Sequence, residues 1–580
     1  MREAKFESKD DFFSSFSKYN INTKKMATKS ERSFQHSGNG GIPVAFREED
    51  GTVFFDASDS HTLVIGATGS KKSRLLVMPT VKLLGNAGES IIVTDPKAEI
   101  YDRTASELAV HGYEIFVINL RDHAESHSWN PLELPYRFYC KGMKDKAYEF
   151  VNDIGQNLIL SEVNVKDPYW DYIASDLFLG ITLVLFRICK DNDLPADSVN
   201  IGNLLMLRRK MFKEYMEYEK FIKLPIGKYI EDDDIINACL TGVIGNAQNT
   251  QKNIVSIFDN KMRAFMIQPS LVQLLSRGNA MLDMIGKQKT AIFLIMPDEK
   301  TIYHKLISLF IKQSYEYLIY QAQGNTAKSM PIRINYVLDE FSSLPTINDF
   351  PAMITAARSR NIRFDLIIQS KNQLSERYGV EAETIQGNCN NWIFLTSREI
   401  SLLNDLSTLC GNRSANNPLI TVSELQHFSK EKGEMLILSG RKNPYKGCLA
   451  DIDNYDSGNF ERLDLPRQNL TADVSTRKKL EVIVNQLLHN KDKVVWSETQ
   501  TSSPNTTWTS NTYGEVAETV GIAETSRKDE TDTQSVKKDS QSDNSTMKVD
   551  LCNEDKENPI ESETVDAWVL WKTYFSKQTN

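Results

Sequence analysis

The residues best equipped for chemistry are a lysine–serine pair, Lys72-Ser73, and a carboxylate pair far downstream, Asp339-Glu340. Lys72-Ser73 closes the stretch His61-Thr-Leu-Val-Ile-Gly-Ala-Thr-Gly-Ser-Lys-Lys-Ser73, which reads as an apolar strand, a Gly-rich turn and a helix start. This is a phosphate-binding loop, G-x-x-x-x-G-K-[ST], with one departure: Lys71 stands where the pattern has glycine. In such a loop, Gly66, Ala67, Thr68, Gly69, Ser70, Lys71, Lys72 and Ser73 would curl successive backbone N–H groups around the phosphates of ATP at a helix N-terminus. Lys72 is placed to reach the β- and γ-phosphates and Ser73 to hold Mg²⁺. The Lys71 side chain either points to solvent from a slightly opened loop or weakens nucleotide binding.

The run Tyr336-Val-Leu-Asp-Glu340 ends a strand in two carboxylates. In a nucleotide motor Asp339 would hold Mg²⁺ through water, and Glu340 would orient or deprotonate the attacking water. An apolar run closing on Asp-Glu is common, and it gains meaning only by following the loop within one sheet domain. Arg358 and Arg360 lie just before another strand. Either an arginine there stabilises phosphoryl charge on a nucleotide held by a neighbouring subunit, or both simply sit at a solvated helix end that favours cations. Gln369 ends the strand Leu366-Ile-Ile368 and either senses the γ-phosphate through water or is an ordinary strand-terminal polar residue.

These residues need a mostly parallel sheet to position them. Short apolar runs at Leu63–Ile65, Ser90–Thr94, Tyr113–Asn119, Thr290–Met296, Arg333–Leu338, Arg363–Ile368, Asn391–Leu395 and Glu434–Leu438 alternate with helical stretches. That pattern predicts an α/β fold with helices on both faces. A hairpin is expected over Pro43–Asp56, turning at Gly51. From about Lys141 to Ile285 apolar residues recur at helical spacing, which predicts an inserted all-α domain. The expected organisation is therefore a polar arm (1–42), a first segment of the nucleotide-binding domain (43–140), the all-α domain (141–288), a second segment of the nucleotide-binding domain (289–465) and a tail (466–580). The tail holds one helix, Ser475–His489, then a polar stretch expected to be disordered, then a short apolar end, Val565–Phe575.

Bulk composition excludes little. The net charge of −9 does not describe a protein that coats nucleic acid, although a local basic channel remains compatible with it. The basic cluster Arg208-Arg209-Lys210 with Lys213 either touches phosphates or is a solvated face. Seven scattered cysteines without a C-x-x-C pair speak against a disulfide framework or zinc site. No run reaches the roughly 18–20 apolar residues that span a bilayer. The longest, Leu177–Cys189, is interrupted by Arg187 and reads as a buried helix, so membrane contact is expected to come through a partner.

From His61 to Tyr455 the chain resembles the type IV coupling proteins, the RecA-like ATPases of conjugative DNA transfer and type IV secretion. The resemblance is carried by Gly66-Ala-Thr-Gly-Ser70, Thr94-Asp-Pro-Lys97 with Glu99, Trp129-Asn-Pro-Leu132, and Tyr169-Trp170 with Ala174. It continues through Leu338-Asp-Glu-Phe341, Leu344-Pro345, Ala357-Arg-Ser-Arg360 and Ile368-Gln-Ser370 with Gln373. It implies a RecA-like P-loop NTPase domain with an all-α insertion, assembled as a homo-hexamer on the cytoplasmic face of a secretion channel. Such a ring would take ATP and Mg²⁺, receive single-stranded DNA bound to a relaxase, and pass it to the channel subunits. Lys72, Ser73, Asp339, Glu340, Arg358 and Gln369 fall on the family's ATPase positions, with Arg358 as the trans-acting finger. The chain departs from the family at Lys71, at Ala98 where glycine is usual, and in showing no N-terminal anchor, which implies a separate membrane anchor protein. Two alternatives remain: a non-hydrolysing docking scaffold disabled by Lys71, and another DNA translocase of the same sheet architecture.

Overall fold

Apolar runs rich in β-branched and aromatic residues become strands because alternate side chains can be buried on opposite faces of one sheet. The computed structural model describes residues 4–27, 40–160, 168–278, 280–297, 300–415, 417–455, 461–467 and 474–489. Its strands are β1 Ser17–Asn20, β2 Lys25–Ala27, β3 Ile42–Arg47, β4 Thr52–Asp56, β5 His61–Ile65, β6 Ser90–Asp95, β7 Glu114–Asn119 and β8 Thr290–Ile295. They continue with β9 Ile334–Leu338, β10 Ile362–Ile368, β11 Cys389–Phe394, β12 Asn412–Ser414, β13 Asn417–Pro418, β14 Glu434–Ser439 and β15 Tyr445–Cys448.

Nine strands form the main sheet in the order β15-β14-β11-β5-β10-β9-β6-β8-β7. Pairing is parallel from β11 through to β7, and the β14–β15 end is antiparallel. The period of two splits each strand between two cores: Val64, Val93, Val337 and Ile367 face one, Leu63, Ile65, Ile92, Leu338 and Ile368 the other. The expected parallel α/β sheet with both faces covered is what the chain builds. Because β5, β9 and β10 run the same way, the residues after each emerge on one edge of the sheet, where ligands bind in such folds.

Between β7 and β8 every described regular element is helical, from Glu133–Cys140 to Met281–Met284. These helices share a continuous core with one face of the sheet and with the long helix Thr301–Gly324, so no break in packing separates them from it. The apolar run 177–189 belongs to a 23-residue helix, Tyr169–Asp191, which by length and composition could cross a membrane. Read from the sequence, this segment looks too short; its first turns, with Tyr169, Trp170 and Asp171, hide its length. It is mostly buried, packed on the helices Lys144–Ile159, Asp234–Ile244 and Gln248–Lys261.

The described N-terminal residues are not a polar arm. Residues 4–27 supply the helix Lys9–Ser14 and strands β1 and β2, and β1 joins β4 in a four-stranded antiparallel sheet. Three phenylalanines among polar neighbours do this work. Phe12 stacks on Tyr445 at 3.9 Å, Phe13 stacks on Phe54 at 4.0 Å, and Phe16 is buried beside them. The β3–β4 hairpin turns at Gly51, as expected. The helix Val474–Leu488 packs through Leu480 and Val484 onto the helical stretch. The expectations of disorder beyond it and of an apolar terminal segment lie outside the described residues.

Candidate functional site

Strand β5 delivers the chain to the carboxyl edge of the sheet, where Gly66 N–H bonds to the Ile368 carbonyl at 3.1 Å and Ala67 N–H to that of Thr396 at 2.8 Å. The loop thus starts from two neighbouring strand ends. Gly66 is needed for space: a Cβ there would meet Ser70 Oγ at 2.6 Å and Lys72 Cγ at 3.2 Å. Gly69 is needed for conformation, with φ of +77° and open space around it. The turn closes through Ser70 N–H to the Ala67 carbonyl at 3.1 Å. The next helix begins with a π-helical turn, Ser73–Val77, a form often found at functional sites.

This loop has the features of an anion cradle. Among the described residues none accepts a hydrogen bond from the amides of Thr68, Gly69, Lys71, Lys72 or Ser73. The Ser70 hydroxyl is buried and has no partner among the described residues. The Lys72 ammonium is buried, donates to the Gly66 carbonyl at 2.7 Å and lies 4.0 Å from Glu340 Oε1. Burial holds its pKa below the usual lysine range, opposed by Glu340 and Asp339.

The carboxylate pair meets the loop. Ser73 Oγ donates to Asp339 Oδ2 at 2.6 Å, and the Asp339 carbonyl accepts from Thr94 Oγ1 at 2.8 Å. Burial pushes the Asp339 carboxyl up to about 6, with the Ser73 hydroxyl pulling the other way. Glu340 has φ of +55°, a left-handed conformation that non-glycine residues adopt at a cost, and such strain collects at functional sites. Gln369 closes the set: it accepts from Thr68 Oγ1 at 2.9 Å and donates to Glu340 Oε2 at 2.5 Å. It therefore connects the phosphate loop to the second carboxylate across the β5–β10–β9 edge.

Hard oxygen donors, a buried ammonium and free amides fit a magnesium-bound triphosphate. Mg²⁺ typically takes one or two protein oxygens and fills its remaining positions with water and phosphate, and Ser73 with Asp339 provides such a pair.

Lys72, Ser73, Asp339, Glu340 and Gln369 are thus brought together with the loop. Arg358 is not: it lies before β10, at the opposite edge of the sheet, half exposed and paired with Asp59 at 3.3 Å. Arg360 donates there to the Lys328 carbonyl at 3.2 Å. Two members of the basic cluster are paired within the chain, while Arg209 and Lys213 are exposed. Arg208 is buried against Asp259, and Lys210 contacts Glu481 at 2.9 Å and Asn485 at 2.7 Å.

Other groups near the site carried no assignment in the sequence. Asp95 ends β6, and its carboxyl accepts the Tyr101 N–H at 2.8 Å. Burial, with Asp339 adding to it, raises Asp95 to about 7. Its signal was the strand-terminal Asp-Pro-Lys. Glu431 bonds Lys71 Nζ at 2.6 Å from a turn distant in sequence, and no local pattern marks it.

The profile of a protein family described as "Type IV secretory system Conjugative DNA transfer" matches residues 5–434. A conjugal transfer protein TraG of Escherichia coli is 21% identical over 394 residues, covering 65% of this chain and 59% of that protein. The protein VirD4 of Rhizobium rhizogenes is 22% identical over 334 residues, covering 57% of this chain and 46% of that protein. The chain thus spans about half to three fifths of the length of these curated relatives. Among solved structures, the plasmid coupling protein TrwB in complex with the ATP analogue ADPNP has a TM-score of 0.52 at 13% identity, covering 81% of this chain and 96% of that one. TrwB in complex with ADP and Mg²⁺ has a TM-score of 0.51 at 13% identity, again covering 81% and 96%. At that identity the likeness speaks for the fold.

Proposed function

The chain belongs to the type IV secretory system conjugative DNA-transfer family, and from that premise we propose that it is an ATP-hydrolysing coupling protein. In this reading it recruits relaxase-bound single-stranded DNA and passes it to a conjugation channel. The carrying observation is the convergence of Lys72, Ser73, Asp339, Glu340 and Gln369 on one loop from three strand ends. TrwB, the fold neighbour, has been solved with ADPNP and with ADP and Mg²⁺, which supports the same ligands here.

Magnesium, when bound, would neutralise charge on the phosphates and fix their orientation. The chain's own groups have distinct tasks. The free amides of Thr68, Gly69, Lys71, Lys72 and Ser73 and the Lys72 ammonium would bind the phosphates, and Lys72 would exchange its bond to the Gly66 carbonyl for one to phosphate oxygen. Ser73 and Asp339 would hold the metal. Glu340 takes the proton of the attacking water, and Gln369 orients Glu340 and couples it to Thr68. Arg358, on the far edge, can serve a nucleotide only in trans, which calls for a ring; we propose a homo-hexamer, with Arg358 inserted at the neighbouring subunit's site. The helices of 141–288 are read as the all-α domain that meets cargo. Placement at the inner face of the membrane, through a separate anchor protein, follows the same reading.

The scaffold alternative required Lys71 to spoil the loop. Its amine instead leaves the cradle for Glu431, which favours the hydrolysing reading. ATP turnover measured with and without single-stranded DNA tests the proposal, with Lys72→Ala as the control. Stimulation by DNA that vanishes in Lys72→Ala is expected. Wild-type protein that binds no ATP, together with DNA transfer intact in Lys72→Ala, would remove the enzymatic part of the proposal.

A further inference from the structure

Lys71 breaks the phosphate-loop pattern, yet its backbone does what the missing glycine would do. Its φ is +64°, a conformation open to glycine and costly for a residue with a Cβ. Something must hold it there. The Lys71 ammonium donates to Glu431 Oε2 at 2.6 Å, and its carbonyl accepts the Leu75 N–H at 2.8 Å, starting the helix. Glu431 belongs to the turn that enters β14. The segment that follows β15 supplies Asp451 and Asp453, and both bond the Arg74 guanidinium. Asp451 is itself braced by a capping box with Asn454. The cations flanking Lys72-Ser73, Lys71 before and Arg74 after, are therefore both drawn outward onto acids of residues 431–453. Lys72 between them stays buried and faces Glu340.

We propose that Glu431 is a positioning residue for the phosphate loop. By binding the Lys71 amine it holds residue 71 left-handed and its side chain outside the cradle, so that the amides of Thr68, Gly69, Lys71, Lys72 and Ser73 stay aimed at the phosphates of a nucleoside triphosphate. The Lys71–Glu431 pair takes the place of the glycine in the usual pattern. This rests on the nucleotide-binding reading given above. Without Glu431, Lys71 relaxes toward negative φ and turns its own amide and that of Lys72 away. A glycine at 71 keeps the loop shape unaided, so dependence on Glu431 disappears with the Lys71 side chain. A merely structural role for Glu431 does not produce that pattern.

The test uses the full chain as wild type, Glu431→Gln, Lys71→Gly and the double variant. Affinity for a fluorescent ATP analogue with Mg²⁺ is one readout. The rate at which Lys71 is modified by an amine-reactive reagent without nucleotide, read by mass spectrometry, is the other. Glu431→Gln is expected to weaken binding about threefold, in proportion to a partly exposed ion pair, and to speed Lys71 modification. The double variant is expected to bind like Lys71→Gly. An equal loss from Glu431→Gln in both backgrounds, tighter binding by Glu431→Gln, or unchanged Lys71 modification would each overturn the inference while leaving nucleotide binding intact. Failure of the wild-type protein itself to bind the analogue would overturn the nucleotide reading instead, and the modification rate would still report whether Glu431 holds Lys71.

Discussion

Asp339→Asn should make the protein more stable and inactive at once. Asp339 is buried, and its carboxyl titrates at about 6 against an ordinary value of 3.8. A carboxyl raised in this way favours the folded state below about pH 4, and that contribution is lost as pH rises through about 6. At pH 8 the folded protein therefore carries the full cost of a buried carboxylate. The difference of 2.2 between 6 and 3.8 corresponds to about 3 kcal/mol, at about 1.4 kcal/mol per unit, an upper estimate. Asparagine removes the charge and keeps an oxygen to accept the Ser73 hydroxyl. Asp95, raised partly by Asp339, is relieved as well. For a chain of this size the gain at pH 8 should raise the melting temperature by a few degrees. The assay is thermal unfolding of wild type and variant at pH 8 and at pH 4.5, both in chelator, beside ATP turnover at pH 8 with Mg²⁺. The stabilisation should shrink to roughly a third at the lower pH, and turnover should be lost. A variant less stable than wild type at pH 8, or a gain of equal size at both values, would refute the claim that this carboxylate is held at a cost for function.

Gly66→Ala places a methyl 2.6 Å from Ser70 Oγ, and nucleotide affinity should fall at least about tenfold, since a cradle displaced by tenths of an ångström loses several amide contacts. Adding Ser70→Ala should recover some of the loss, read by titration with a fluorescent ATP analogue. Gln369→Ala cuts the link between Thr68 and Glu340 and should lower kcat by about a hundredfold with little change in KM, as expected for a group that acts through the catalytic base. Phe13→Ala empties a site stacked on Phe54 and should cost about 3–5 kcal/mol, visible as a lower melting temperature of the whole chain if residues 4–27 belong to its core.

Much of the sheet was legible because its signals are local. A strand buried on both faces needs a run such as Ser90–Asp95 or Ile362–Ile368, and turn chemistry marks where it stops. The Gly51 turn and the β5–loop–helix unit were legible for the same reason. The N-terminal segment was not. Phe12, Phe13 and Phe16 gain their meaning from Tyr445 and Phe54, and within their own neighbourhood they look like isolated apolar residues in a polar stretch. β15 is no more legible, since Tyr445–Cys448 carries little apolar pattern and is a strand because β14 offers it an edge.

By itself the sequence determined the chemistry available. A lysine and a hydroxyl at a helix start, two carboxylates and an amide at strand ends are covalent facts, and their spacing demanded a parallel sheet to serve them. Only the tertiary structure decided which of them meet. Parallel pairing of β5, β10 and β9 carries Ser73, Gln369 and Asp339 to one edge and leaves Arg358 on the other, because residues before and after a strand emerge at opposite ends. The fate of Lys71 was settled there too. Its side chain is harmless or harmful according to where its charge can rest, and Glu431, 360 residues away in the chain, is near it only once the chain has folded.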